Sequence, residues 1–396
     1  MSRPSIASDP TLRLAAYLAC LFAGTGVLLP FLPQWLSETR GLSGAEIALV
    51  ISTPALVRIV IGPILGAWAD GCKDRRTPLA VFAGLAVFAY GAFALADSFW
   101  ALFVTSIIAG SLTGAAVPLA EGAALRASVA GRVPYGLARA VSSMAFIGGN
   151  LIGGALIARF GPELVVGWFL ACVVAMAFTG TFALQPDPAP AAALDLSYWR
   201  RLALGFDLMR RNRRFALAIG AGALIQSAHG FYYNCSTLIW RADGVDAATI
   251  GVLWGLGVGA EVAFLASLPW IEKRFGPEAL LVAGGAAATV RWFAMAAAPP
   301  LALQAVLQLL HAATFAAAYV GAIRIVQRET PDAIAGVGQT LYSGLASGLL
   351  MGLSGIGAGM LYDAVKGGGY LAMGVLAAAG LALALILARW PAPPKH

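Results

Sequence analysis

The amino-acid sequence predicts an all-α membrane protein whose twelve transmembrane helices form two pseudo-symmetric six-helix bundles. Of its 396 residues, 60% are hydrophobic and 11% are charged, and the mean hydropathy is +0.81. Soluble domains carry about 25% charged residues. Because each crossing of a bilayer needs roughly 20 mostly apolar residues, about twelve crossings with short loops use nearly the whole chain. The sequence leaves no room for a separate soluble domain.

Each predicted helix is an apolar run between polar or Gly/Pro interruptions. The longest polar interruption begins with three prolines and ends with four arginines, and it divides the runs into two sets of six. We therefore predict an N-terminal bundle over 1–184, a cytoplasmic linker loop over 185–213 and a C-terminal bundle over 214–396. The predicted helices lie at 12–36, 45–68, 78–96, 99–124, 135–158, 163–184, 214–239, 248–270, 278–297, 301–324, 337–362 and 370–389.

The basic residues predict how the chain is oriented. A net charge of +7 is compatible with nucleic-acid binding, but the Lys and Arg residues form short runs between apolar segments, which fits a lipid bilayer better. With both termini inside, 19 of the 26 Lys and Arg residues fall on the inner side. Only Arg40, Arg159, Arg241 and Lys366 fall outside. The positive-inside rule therefore predicts cytoplasmic termini.

Neither end of the chain nor its cysteines indicate processing or metal binding. The short polar N-terminus is followed by no small-residue cleavage site, so we expect no removable signal peptide. The four cysteines lack the spacing of a metal site, and we expect free thiols and no disulfide.

Seven ionisable residues lie inside the apolar segments. A charge in hydrocarbon costs several kcal/mol, so such residues usually face an internal cavity and mark a path for ions or substrate. This pattern indicates a transporter. The seven residues are Arg58, Glu121, Arg139, His229, Glu261, Arg291 and His311.

Three of these residues lie in the first half. Glu121 and Arg139 are each nine residues from Ala130, near the middle of an inner loop, so the rise of a helix places them at similar depth. We expect an ion pair, which either fixes two helices structurally or serves in substrate binding or gating. Arg58 has no obvious local partner. Among all seven intramembrane residues the arginines outnumber the glutamates three to two, so an anionic substrate such as a carboxylate would balance the surplus positive charge.

Four of these residues, in the second half, are expected to converge in the middle or outer half of the membrane. His229, Glu261, Arg291 and His311 form a plausible proton relay, because movement between apolar and charged surroundings changes a carboxylate's proton affinity. We interpret Glu261 as the proton carrier and Arg291 as its modulator. Either histidine could instead make a core hydrogen bond. A His-His-Glu metal site is an alternative without a spacing signature.

Two aromatic residues follow His229 closely. Tyr232 and Tyr233 could line a pocket for a ring, although aromatic side chains in membrane helices mostly serve in packing or as interface anchors.

A charged loop follows the second predicted helix. It contains Gly66, Asp70 and the basic pair Arg75–Arg76, but it lacks an arginine directly after Asp70 and has Lys at position 73, where glycine is usual. With this loop, twelve helices in two sixes and a basic middle loop, the chain resembles the major facilitator superfamily. The resemblance implies the major facilitator fold, and a gating role for Asp70, Arg75 and Arg76.

A more specific resemblance extends over essentially the whole chain. The chain is similar to the 3-phenylpropionic acid transporter branch, which is related to lactose permease. This implies that Glu121 with Arg139 binds substrate and that Glu261, Arg291 and His311 couple a proton. Thr314 stands near His311 where lactose permease has a carboxylate. The resemblance is carried by Val117–Glu121, Tyr135–Gly136 with Arg139, Gln226–Tyr233, Trp254–Glu261, Val290–Trp292 and Gln308–His311.

The expected function is a proton-coupled symporter of the cell inner membrane that imports a small organic acid, such as 3-phenylpropionate, by alternating access. We expect a monomer that needs a proton gradient, protons and a small-molecule substrate, and no cofactor. The alternatives are a symporter of a neutral sugar or nucleoside and an exporter of hydrophobic compounds. An intramembrane enzyme would need a motif such as His-Glu-x-x-His, which the sequence lacks. A sensor on the same fold is a further alternative.

The expected site residues follow from the two resemblances and the charge pattern. The substrate-binding set is Arg58, Glu121, Arg139, Tyr232 and Tyr233. The proton-coupling set is His229, Glu261, Arg291 and His311.

Overall fold

The first half of the chain is helical almost throughout the residues that are described. A computed structural model of the protein describes residues 10–74, 76–129, 135–184 and 197–390. A π-helical turn, Gly149–Gly153, joins α5 to α6, and another, Thr179–Ala183, extends α7. The helices are α1 (Pro10–Arg40), α2 (Gly44–Asp70), α3 (Arg76–Ala94), α4 (Phe99–Val129), α5 (Tyr135–Gly148), α6 (Gly154–Phe160) and α7 (Leu164–Phe178).

The second half follows the same plan with more interruptions. The π-helical turn Ala312–Ala317 joins α13 to α14, and Ser343–Leu350 joins α15 to α16. The helices are α8 (Tyr198–Arg211), α9 (Arg213–Ser227), α10 (Gly230–Ala242), α11 (Ala247–Ile271), α12 (Pro277–Ala296), α13 (Leu301–Leu309), α14 (Ala318–Glu329), α15 (Ala335–Tyr342), α16 (Met351–Val365) and α17 (Tyr370–Arg389).

Counted with their joined partners, these helices give twelve crossings in the described ranges, which confirms the predicted fold class. The crossings are α1 to α4, α5–α6, α7, α9–α10, α11, α12, α13–α14, α15–α16 and α17. Ten continuous helical stretches in the described residues are long and apolar enough to span a bilayer. One of them, Gly336–Arg389, holds two crossings, and the broken crossing α9–α10 is the one outside this set. The protein is therefore a multi-pass membrane protein.

The described residues form two compact units. One consists of residues within Met1–Ala193 together with Thr237–Gly255, and the other of Leu194–Ser236 together with Leu256–His396. In the first unit α1 packs on α5 and α7, and α4 packs on α2 and α3. In the second unit α17 packs on α9 and α12.

Glycine brings helices into backbone contact in both units. A Cβ on Gly149 would lie 2.5 Å from the Ala23 carbonyl oxygen of α1. In the second unit, a Cβ on Gly284 of α12 would lie 2.7 Å from Ala318 Cβ at the start of α14. These close approaches increase van der Waals contact, which is a main source of helix association in a bilayer.

The crossing predicted as one helix over 214–239 is broken, so that prediction is wrong in its continuity. The chain turns between Ser227 and Gly230, and the Ser227 carbonyl accepts a hydrogen bond of 2.7 Å from Ser354 Oγ on α16. Gly230 allows α16 to approach, since a Cβ there would meet Ser354 Oγ at 2.5 Å. The turn places His229 in the core, where it is fully buried.

The linker predicted as a loop over 185–213 contains a helix, α8, which corrects that part of the prediction. Ser197 caps its first turn by accepting a hydrogen bond from the Arg200 backbone N–H. In its last turn Asp207 pairs with Arg211 at 2.9 Å and with Arg210 at 3.6 Å. Of the four arginines that end the polar interruption, two therefore belong to α8 and two begin α9.

Candidate functional site

The first unit contains the expected pair of opposite charges. Arg139 Nη1 on α5 donates a hydrogen bond of 2.7 Å to Glu121 Oε1 on α4. The two side chains are 42% and 39% exposed. The pair is therefore formed and accessible at the same time, as a ligand-binding group requires.

Arg58 lies against the same face of α4 as this pair. A Cβ on Gly114 would lie 2.9 Å from both Cδ and Nη1 of Arg58, so a larger residue at 114 would require this arginine to shift. Gly114 precedes Glu121 by seven residues, about two helical turns, and so shares its face. Within residues 10–74, 76–129, 135–184 and 197–390, Arg58 has no hydrogen bond or ion pair. Its positive charge is available to an anion.

The second unit brings together the four residues predicted for it, around a buried arginine. Arg291 Nη2 donates a hydrogen bond of 2.7 Å to Gln308 Oε1. Its Nη1 lies 3.2 Å from Thr314 Oγ1 and 3.3 Å from His311 Nδ1. The guanidinium is fully buried, so these polar partners replace the water that it has lost.

Aromatic rings enclose the same guanidinium. Its carbon lies 4.9 Å from the centre of the Tyr232 ring and 4.5 Å from that of Trp292, both within the range of cation–π attraction. Tyr232 is buried, whereas Tyr233 is half-buried and stacks on His229 with ring centres 5.8 Å apart. In this structure Tyr232 therefore packs on Arg291, and Tyr233 is the more accessible of the two tyrosines.

The hydrogen bonds fix where His311 carries its proton. A guanidinium only donates hydrogen bonds, so His311 Nδ1 must accept the one from Arg291. A neutral His311 then holds its proton on Nε2, which lies 3.7 Å from Glu261 Oε2. Glu261 is 20% exposed, while His311 and Arg291 are buried. The carboxylate is thus the accessible end of a chain that runs Glu261, His311, Arg291.

His229 closes a second branch of this network. Its Nδ1 donates to the Gln226 carbonyl at 3.1 Å, since a carbonyl can only accept. Its Nε2 lies 3.1 Å from Thr314 Oγ1, whose hydroxyl donates to the ring while its oxygen accepts from Arg291. Both ring nitrogens are therefore occupied.

The gating residues predicted in the charged loop have different surroundings. Asp70 ends α2 and is exposed. Arg76 begins α3. Its Nε lies 3.5 Å from Asp74 Oδ2, and its Nη1 donates a hydrogen bond to the Leu184 carbonyl oxygen. Arg75 lies outside the described residues.

One charged group was missed by the sequence analysis. Arg214, the last of the four arginines that end the polar interruption, is buried and pairs with Glu278 at 2.6 Å and with Glu329 at 2.9 Å. Arg328 also contacts Glu278, and Asn212 donates to Glu329. This group connects the ends of four helices, α9, α12, α14 and, through the carbonyl of Trp390, α17. The depth of a basic residue at the edge of a polar run does not follow from its position in the sequence.

Metal-ligand groups and cysteines complete the description. Among the residues that the structure describes, no three His, Cys, Asp or Glu side chains lie together as potential metal ligands. Cys20, Cys72, Cys172 and Cys235 are free thiols.

Comparison with known proteins agrees with this architecture. The sequence matches the MFS_1 like family over residues 11–370. It is 28% identical to a probable 3-phenylpropionic acid transporter of Escherichia coli (strain K12), over 90% of this chain and 92% of that protein. It is 26% identical to a maltose permease of Geobacillus stearothermophilus, over 93% and 92%. The crystal structure of nucleoside transporter NupG superposes with a TM-score of 0.76 at 18% identity, covering 97% of this chain and 100% of that one, and so shares its fold.

Proposed function

Since the chain belongs to the MFS_1 like family, a family of membrane transporters, we propose that it is a proton-coupled symporter that imports a small organic acid by alternating access. The proposed substrate class includes aromatic carboxylates such as 3-phenylpropionate, because a relative that is 28% identical is named as a probable transporter of that acid. The proposed location is the cell inner membrane, with both termini on the cytoplasmic side, and the proposed active form is a monomer. The proton gradient supplies the driving force.

The proposal is carried by the Glu261–His311–Arg291 chain. His311 Nδ1 cannot accept a hydrogen bond from Arg291 and hold a proton of its own at the same time. Protonation at Nδ1 therefore breaks the Arg291 contact and places two positive charges side by side in an apolar core. A proton that enters at the accessible Glu261 carboxylate removes the negative charge that faces His311 Nε2. Proton binding at either residue thus changes the position that is most stable for Arg291.

The substrate part of the proposal rests on Arg58. Arg58 is half-buried and has no ion pair among the described residues, and a carboxylate is the ligand that would best offset the loss of water from its guanidinium. Arg58 lies against the face of α4 that carries Glu121, so it is about two helical turns from the Glu121–Arg139 pair. In this proposal Arg58 and Arg139 contact the carboxylate, and Glu121 holds Arg139 until the substrate arrives.

A second candidate is a symporter of a neutral sugar. The Glu121–Arg139 pair is already neutralised and offers both donors and acceptors, which suits a substrate rich in hydroxyl groups. The maltose permease relative, similar over nearly the whole chain, supports it. Arg58 weighs against it, because within the described ranges its positive charge has no ion pair.

The test is uptake of labelled 3-phenylpropionate into proteoliposomes, with and without an imposed inward proton gradient. Gradient-dependent accumulation that is lost in Arg58→Gln supports the proposal. Uptake that ignores the gradient would remove the coupling. Accumulation of labelled maltose instead, unaffected by Arg58→Gln, would favour the sugar symporter.

A further inference from the structure

The linker helix α8 has one face that is held by the protein. Gly205 is buried at its middle, and a Cβ there would lie 3.0 Å from Leu341 Cβ and 3.4 Å from Val337 Cγ1. Both residues belong to α15. Because glycine permits this approach, α8 lies directly on the start of the α15–α16 crossing.

The opposite side of α8 is exposed and combines aromatic with basic residues. Trp199 is 53% exposed and Phe206 is 45% exposed. They are seven residues apart, about two helical turns, so both project from one side. Arg200 is exposed beside Trp199, and Arg210 and Arg211 are exposed beyond Phe206. We name these five residues the aromatic–basic face.

The neighbours of α8 place this face at the level of the lipid headgroups. Asn212 alone separates the end of α8 from α9, which begins a crossing. The helix α15, on which α8 packs, begins another crossing. A helix tied to the starts of two crossings lies where the apolar core of a bilayer ends. Amphipathic helices with Trp and Phe on an apolar side and arginines beside them bind that interface.

We propose that the aromatic–basic face lies on the bilayer surface and binds the phosphate groups of anionic phospholipids. Trp199 and Phe206 enter the boundary between headgroups and acyl chains, and the three arginines donate hydrogen bonds to phosphate oxygens. Asp207 pairs with Arg210 and Arg211 but leaves guanidinium donors free, since each guanidinium has five. In the part of the chain that the structure describes, Arg200 has no ion pair. This proposal is independent of the transported substrate.

The test is a lipid titration of the full-length protein in mild detergent, followed by native mass spectrometry. Phosphatidylglycerol is compared with phosphatidylcholine of the same acyl chains. The test variant carries Arg200→Gln, Arg210→Gln and Arg211→Gln, all at exposed positions where folding is little affected. One arginine near an anionic surface contributes about fivefold in affinity, and Asp207 reduces this for two of the three. We expect the phosphatidylglycerol affinity to fall at least tenfold.

A matched control removes three exposed basic residues that lie apart from one another at the ends of other crossings, through Arg159→Gln, Arg274→Gln and Lys366→Gln, and should lower the affinity less than the α8 variant does. A second variant, Trp199→Ala with Phe206→Ala, should weaken both lipids alike, since it removes acyl contacts.

Three results would overturn the proposal. The first is equal binding of the two lipids by the wild-type protein. The second is an arginine variant that binds phosphatidylglycerol as the control does. The third is displacement of phosphatidylglycerol by millimolar inorganic phosphate, which would indicate a site for free anions rather than for a bilayer.

Discussion

Replacing Glu329 by Gln should destabilise the protein far more than the same change at Glu272. The two glutamates make the same contact, since each accepts a hydrogen bond of 2.9 Å from an arginine Nε. Glu329 is 3% exposed and faces Arg214, which is 8% exposed. Glu272 and its partner Arg324 are 33% and 52% exposed. The two variants therefore compare a buried ion pair with an exposed one of equal Nε–O distance.

The magnitude follows from what each variant leaves behind. Breaking a buried ion pair costs about 3–5 kcal/mol because one charge stays buried without compensation. Arg214 keeps its second partner, Glu278, at 2.6 Å. We therefore expect Glu329→Gln to lower the free energy of unfolding by about 2–3 kcal/mol. An exposed pair contributes about 0–1 kcal/mol, which sets the expected loss for Glu272→Gln.

The assay is equilibrium unfolding of both variants in mixed micelles with increasing mole fractions of SDS. Equal losses in the free energy of unfolding for the two variants would contradict this prediction, because burial would then add nothing to an ion pair of the same length.

Three further predictions follow from single contacts. Gly114→Ala should displace the Arg58 side chain, because the new Cβ would lie 2.9 Å from Nη1. The half-saturation concentration for uptake should then rise about fivefold. An unchanged half-saturation concentration would indicate that Arg58 does not bind the substrate. Thr314→Val should lower the free energy of unfolding by about 1–3 kcal/mol in the same assay, because valine keeps the shape of threonine but removes the hydroxyl that bonds to buried His229 and Arg291. An unchanged free energy of unfolding would contradict the assigned hydrogen bonds. The Thr249 backbone N–H donates a hydrogen bond to the Asp246 carboxylate and lowers its pKa. The carboxylate therefore stabilises the start of α11 at pH values above the usual aspartate pKa, and this stabilisation is lost as the pH falls through the lowered pKa. Asp246→Ala should therefore be less stable than wild type at pH 7 and equal to it in strong acid, and a difference that persists in acid would argue against this cap.

The number and positions of the crossings could be predicted from the sequence because a bilayer requires long apolar helices. The break at Ser227 could not, since the group that satisfies its freed carbonyl, Ser354, comes 127 residues later in the chain. The helix α8 was hidden for a different reason. Its arginines gave the whole linker a polar average, although Leu202, Gly205 and Leu208 repeat at helical spacing along it.

The composition of the candidate site was also partly predictable. Depth along a helix follows from counting residues, so the Glu121–Arg139 pair and the meeting of Glu261 with His311 could be expected from the sequence. The order of the hydrogen bonds could not. It depends on how α13 and α14 are rotated, and the π-helical turn Ala312–Ala317 between them changes that rotation without a clear sequence signal. For this reason Gln308 was not recognised as the partner of Arg291.

Glu261 is proposed to receive the proton that drives transport, and a comparison of two reconstituted proteins tests this role. Wild-type protein and Glu261→Gln are reconstituted in parallel, and each is assayed for gradient-driven accumulation of labelled 3-phenylpropionate and for counterflow, which needs no gradient. Glu261→Gln should lose accumulation and keep counterflow, because substrate exchange does not require proton release from residue 261. Accumulation that persists in Glu261→Gln under an imposed proton gradient would contradict the account.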